Sequence, residues 1–196
     1  MKVTIQAVRD REHWVNQISH KFKDIEVFYD DQRLGNFGKF IEIINKKWDS
    51  YRLHLQDDVI IAKDLDLHLD SIQNEMESRG IQVLSLFAPA RKFLFEQFKK
   101  GIRFSEFPDF LMMQGVIFSP DANHKMIEFY NNRIKKDKHD DIFVRDFLKE
   151  YKIKSYVHLP SLVQHNMNLK STLGHSSSIK RRSELFNFNF YDQRNS

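Results

Sequence analysis

YRLHLQDDVII, residues 51–61, decides how the chain is read. A run of strand-forming residues ends on two adjacent carboxylates, Asp57 and Asp58, and β-branched residues resume at Val59. Neighbouring carboxylates repel, and they resist burial unless something offsets them. Working outward gives the pair its setting. Residues 3–8 (VTIQAV) read as a first strand, and 9–22 carry Trp14, Val15, Ile18 and Phe22 at helical spacing. Residues 25–29 (IEVFY) form a second strand, ending on Asp30 and Asp31 before a loop with Gly35 and Gly38. Residues 40–48 read as a helix, 51–55 as the third strand, 65–78 as a helix stopped at Gly80, and 81–87 as a fourth strand. Strands alternating with helices mean β-α-β units. The expected fold class is therefore α/β: one Rossmann-like domain, its mostly parallel central sheet flanked by helices.

The rest is less regular. Residues 88–108 hold five phenylalanines among basic residues, and 111–118 (LMMQGVIF) read as a strand containing a glycine. Ser119-Pro120-Asp121 opens a helix to about residue 134, His139-Asp140-Asp141 precedes a helix over 142–151, and 155–159 is a last strand closed by Pro160. The expected organisation is one domain over 1–175 and a basic, Ser- and Asn-rich tail over 176–196.

Composition narrows the classes. Hydrophobic residues make up 41% of 196, with 18 phenylalanines, enough for a core and against disorder. There is no cysteine, so disulfides and thiolate metal sites are excluded. No apolar h-region opens the chain and no run approaches the roughly 18 apolar residues of a membrane span, so a cytoplasmic location without signal peptide or span is expected. A net charge of +4 favours anionic partners. Walker-type, dinucleotide-fingerprint and G-x-S-x-G motifs are all missing from the sequence.

In an open parallel sheet, ligands bind outside the carboxyl ends of the strands. Residues 6–9, Asp30-Asp31, Asp57-Asp58 and His165 fall there. The acidic pair reads either as a turn with a helix cap or as a carboxylate site for Mg²⁺ or Mn²⁺. Asp140-Asp141 reads as a cap or a general base, and His165 as a packed imidazole or a metal ligand.

Five segments in order, a first strand, LHLQDDV, MMQGVIFSP, HDDIFVRDFL and PSLVQH, resemble GT-A-fold nucleotide-sugar glycosyltransferases, most of all small phage and bacterial proteins. The closing motif is also similar to that of collagen galactosyltransferase-like and branching N-acetylglucosaminyltransferase enzymes. The resemblance covers residues 1–175 and implies a metal-dependent, inverting chemistry in outline: a divalent cation, Mn²⁺ or Mg²⁺, on Asp58 and His165, and Asp141 as base with Asp140 beside it. It implies a UDP-sugar donor held by Gln6, Val8, Arg9, Asp30, Asp57, Gln114 and Gly115. Two departures stand out: Gln56 replaces the first acidic position of the metal motif, and Met167 stands where glycine often follows the histidine.

Arg91, Lys92, Lys170, Lys180, Arg181 and Arg182, with aromatics near the first two, suit a nucleic-acid backbone and an extruded base. They make a hydroxymethylated pyrimidine in phage DNA one candidate acceptor, in the host cytoplasm, and a glycan or protein hydroxyl another. A reading of a different class is a non-catalytic nucleic-acid-binding protein using the same basic surface.

Overall fold

The computed structural model describes residues 1–110, 112–133, 139–166, 168–169 and 183–187. Its strands are β1 (Lys2–Ala7), β2 (Ile25–Tyr29), β3 (Arg52–Gln56), β4 (Val59–Ile61), β5 (Val83–Ser85), β6 (Phe104–Glu106), β7 (Gly115–Phe118), β8 (Ser155–His158) and β9 (Val163–His165). Its helices are α1 (Glu12–Ser19), α2 (Gly35–Ile44), α3 (Leu65–Ser78), α4 (Lys92–Lys99), α5 (Pro120–Asn132) and α6 (Asp140–Glu150). Seven strands form one sheet in the order β2-β1-β3-β7-β5-β8-β6. Strands β1, β2, β3, β5 and β8 run one way, and β7 and β6 run against them. The fold is α/β and Rossmann-like, with a mostly parallel sheet and helices on both faces.

Period sets the two layers. On β1, Val3, Ile5 and Ala7 point to the face covered by α1 and α3, where Leu65, Leu69, Ile72 and Met76 recur at helical spacing. The opposite face packs on α2, α5 and α6, and most of the aromatic content lies there: Phe40, Trp48, Phe118, Phe143 and Phe147. Each fully buried side chain of this size contributes about 1.5–3 kcal/mol. Helix α5 starts where the sequence signals it: the Ser119 hydroxyl accepts from Ala122 N and Pro120 fills the first turn.

Four elements differ from the sequence expectation. The first helix opens with a 3-10 turn, Arg9–Arg11, before α1. Helix α2 begins at Gly35 rather than Phe40, so the expected glycine loop is its first turn. Residues 88–108, expected to be irregular, hold α4 and β6. The expected strand over 111–118 begins at Gly115 and runs antiparallel. In addition, β4 and β9 pair in a separate two-stranded ribbon, with Val59 opposite His165 and Ile61 opposite Val163. Within the expected tail, Ser183 exchanges two hydrogen bonds with the Gln164 side chain, and Leu185 packs in a small core with Leu159.

The ribbon explains Gly115. A Cβ there would lie 2.8 Å from Val163 Cγ2 and 3.2 Å from Leu55 Cδ2. The open side of this glycine is filled by the ribbon, whereas the sequence reading set it beside a donor sugar. Gly115→Ala should cost about 1–3 kcal/mol in urea unfolding, and Val163→Ala in the same chain should restore part of it, because overpacking is relieved by removing the opposing methyls.

Candidate functional site

The carboxyl ends of β1 and β3 are neighbours, Gln6 opposite Gln56. Side chains alternate across a strand, so Gln56 and Asp57 serve opposite faces. Two polar clusters result.

The first holds Asp57 and Asp58. The Asp57 Oδ1 accepts from Arg11 Nη1, and its Oδ2 accepts from the Val8 amide at 2.8 Å. Asp58 Oδ2 lies 3.4 Å from the same Arg11 nitrogen. The acidic pair therefore holds the 3-10 turn after β1, and one buried guanidinium offsets both charges. Burial still pushes the Asp57 carboxyl up from its ordinary value, with Arg11 pulling the other way. Asp57 and Val8, read from sequence as donor-binding, spend their polar groups on this turn. Arg11 was missed by the sequence reading. The signal was available: a buried acidic pair at the end of β3 needs a cation, and the turn after the adjacent strand supplies the nearest one.

Ribbon pairing brings His165 to Asp58. The His165 Nδ1 is 3.1 Å from the Asp58 carbonyl and 3.8 Å from its Oδ2. A carbonyl can only accept, so Nδ1 donates to it, which leaves Nε2 as the nitrogen a metal could take. Asp58 Oδ1 is buried with no hydrogen-bond partner. An orphaned carboxylate oxygen and an imidazole nitrogen fit Mn²⁺ or Mg²⁺ when phosphate oxygens and water fill the remaining positions. Among the described residues no group of three His, Asp or Glu side chains gathers to hold a metal ion.

The second cluster lies on the α2/α6 face. Asn36 Nδ2 donates to Asp140 Oδ2 at 2.8 Å, and Gln56 Nε2 donates to the same oxygen at 3.2 Å. Gln6 Nε2 donates to the Asn36 carbonyl at 2.8 Å and to its side-chain oxygen. Gln6 Oε1 and Gln114 Oε1 are buried acceptors with no partner. Burial, and secondarily the neighbouring Asp141 charge, pushes the Asp140 carboxyl up to about 6. Asp141 sits half-buried at the first turn of α6 and accepts from the Ile142 amide at 2.8 Å. Asn36 was not foreseen from the sequence; no residue pattern marks it, because it reaches Asp140 only through the fold.

The raised Asp140 value carries a sign. The folded state binds this proton more tightly than the unfolded state, whose value is the ordinary 3.8. Its contribution is thus favourable at low pH and is lost as pH rises from about 4 to 6, by about 3 kcal/mol. Chemical denaturation of Asp140→Asn across that range should show stability rising relative to wild type as pH increases. Parallel curves for the two proteins would remove this assignment.

Other expected residues lie apart. Asp30 accepts from the Leu34 and Gly35 amides, both at 2.8 Å, and so caps α2. Arg9 forks onto Asp31 at 2.7 and 2.8 Å, with its guanidinium over the Tyr29 ring. Arg91 and Lys92 are exposed at the start of α4. Lys170, Lys180, Arg181 and Arg182 lie outside the described residues. No helix among the described residues is long and apolar enough to cross a membrane.

No family model matches the chain, and no curated protein matches it. Solved structures do. A candidate glucose-1-phosphate thymidylyltransferase from Bacillus anthracis, solved with sucrose, aligns over 84% of this chain and 89% of its own at 7% identity and a TM-score of 0.50. A CMP:2-keto-3-deoxy-manno-octonic acid synthetase complexed with CTP aligns over 80% and 88% at 9% identity and 0.44. A 4-diphosphocytidyl-2C-methyl-D-erythritol synthase from Anaerococcus prevotii aligns over 82% and 71% at 12% and 0.46. At 7% identity the first is a likeness of fold.

Proposed function

We propose that the protein is a glycosyltransferase that moves a sugar from a nucleotide-sugar donor, a UDP-sugar by preference, to an acceptor hydroxyl. The observation that carries this reading is the ribbon register: it sets His165 Nδ1 3.8 Å from Asp58 Oδ2 at the carboxyl end of β3, and the other oxygen of that carboxylate is buried without a partner. Gln6 and Gln114 would supply amide oxygens to donor hydroxyls or a base N–H, since both oxygens are buried without partners. A divalent cation held by Asp58 and His165 Nε2 would neutralise charge on the departing diphosphate. Asp141 takes the acceptor proton as the acceptor oxygen bonds to the anomeric carbon and the bond from that carbon to the phosphate oxygen breaks. Attack opposite the leaving group inverts the configuration. Asp140, tied to Gln56 and Asn36, positions the first turn of α6.

The fold neighbours favour a second reading, a nucleotidyltransferase that joins a nucleotide to a sugar phosphate. Such an enzyme must cradle a triphosphate, usually on free backbone amides. After β1, Val8 N is already bonded to Asp57 and Arg11 N to Val8 O, which leaves fewer amides there for a triphosphate. On this ground the glycosyltransferase reading stands first. As acceptor, a hydroxymethylated pyrimidine in phage DNA is supported only by exposed Arg91 and Lys92, and a glycan or protein hydroxyl is the alternative.

The test is thermal stability with UDP, GDP and UDP-sugars, each with and without Mn²⁺. A ligand present at 100 times its Kd adds about 2.7 kcal/mol. The expected result is a Tm rise that needs nucleotide and metal together and is lost in Asp58→Ala. A rise with nucleoside triphosphate and sugar 1-phosphate, with pyrophosphate released, would favour the second reading. DNA binding with no response to any nucleotide sugar would favour the non-catalytic binding protein.

A further inference from the structure

A cavity of about 370 Å³ opens beyond the carboxyl ends of β5 and β8. Its walls are mainly Phe87, Phe107, Phe110, Met112 and Val157, and Arg91 is the one charged residue lining it. The register ties it to the candidate site. Thr4, His54, Val116, Ser85 and Val157 lie directly opposite one another across five strands. Alternation puts all five on one face, the face of Gln6 and Gln56 two residues further along. The cavity and the Asp140-Asp141 pair thus share one face and one edge of the sheet. Phe107 is backed by Phe93, stacked at 6.1 Å and 13°. Ser85 turns its hydroxyl to its own loop, between the Phe87 amide and carbonyl. Arg91 makes no side-chain hydrogen bond or ion pair among the described residues.

We infer that this cavity is the acceptor site and takes a planar apolar ring carrying one anionic group, the ring against Phe107, Phe110 and Met112 and the anion on Arg91. This rests on the transferase reading for its role and on the cavity alone for its ligand. An aromatic wall with one unpaired guanidinium at its edge selects that combination, since a neutral sugar would leave the cation unanswered and find few hydrogen-bonding groups. The volume suits a fused or substituted ring and excludes a folded oligosaccharide. Two sources share this chemistry: an aromatic acid and a mononucleotide unit.

Binding is measured by titration calorimetry without donor or metal, using 2-naphthoate, neutral 2-naphthylmethanol, and 5-hydroxymethyl-dCMP. The expected result is that 2-naphthoate binds better than the alcohol, and that Arg91→Gln weakens the anion about tenfold while leaving the alcohol unchanged. Ala90→Trp, at an exposed position lining the cavity, should block both. Preference for the nucleotide over naphthoate assigns the mononucleotide source, and the reverse assigns the aromatic acid. Equal binding of acid and alcohol, or binding that survives both variants, overturns the proposal. Ala90→Trp should also keep the donor-and-Mn²⁺ Tm rise while losing transfer. Loss of that rise in wild type fails the transferase reading, and loss of ring binding fails this one.

Discussion

Arg11→Met should destabilise the protein by about 3–5 kcal/mol at pH 8, the largest single-residue effect around the Asp57-Asp58 pair. Removing one partner of a buried ion pair leaves the other charges uncompensated, which costs far more than the pair itself contributes. Here two charges are left. The side chains of Arg11, Asp57 and Asp58 are 8%, 9% and 17% exposed, so water reaches them poorly. Methionine keeps most of the apolar stem and removes only the charge, which separates electrostatics from packing. The loss should shrink as pH falls. Without the guanidinium the Asp57 carboxyl rises further above its ordinary value. A carboxyl raised in the folded state contributes stability that is present at low pH and lost as pH rises through the folded value. Urea unfolding at pH 8 and pH 5 therefore distinguishes the outcomes. A smaller loss at pH 5, with partial recovery by Asp57→Asn, is expected. An equal loss at both values would mean that Arg11 acts through packing.

The same cluster shows what the sequence could and could not convey. The strands and the mostly parallel sheet were legible because each element carries its own period and stop signal, as in residues 25–29 and 65–78. The carboxyl-end rule then brought attention to Asp57 and Asp58. What it could not convey was the division of labour between them. One residue of alternation sends Gln56 to the α6 face and Asp57 to the α1 face, and the QDDV string does not announce which partner waits on either side. His165 was legible as a neighbour of Asp58 only through the family resemblance, because a three-residue ribbon has too little periodicity to show the pairing. Gly115 misled for a related reason: a glycine in a strand signals close approach, and only the fold says that the approaching group is Val163 rather than a ligand.

Acid should unfold wild type much more readily than His54→Leu. His54 lies in the middle of β3, fully buried, edge-on to the Phe40 ring at 5.2 Å, with neither ring nitrogen hydrogen-bonded. Burial lowers its value from 6.5 to about 3. The sign follows from which state takes the proton. Between pH 6.5 and 3 the unfolded chain is protonated at this residue and the folded chain is not, so stability is whole above 6.5 and is lost as pH falls. The loss is about 2 kcal/mol at pH 5 and about 4 kcal/mol at pH 3. Leucine has no proton to take and no polar atom to leave unsatisfied, so the variant should also be at least as stable at pH 7.5. Asp140 works in the opposite direction between pH 4 and 6, which would flatten the wild-type curve and hide His54 in it. The difference between wild type and variant is free of that cancellation, because Asp140 is common to both. Denaturant unfolding at pH 7.5, 6, 5 and 4 should give a difference that grows steadily below pH 6.5. A difference that stays constant would mean that the imidazole takes its proton as readily in the folded state as in the unfolded one, and the sheet face beneath the candidate site would then carry a charge at low pH.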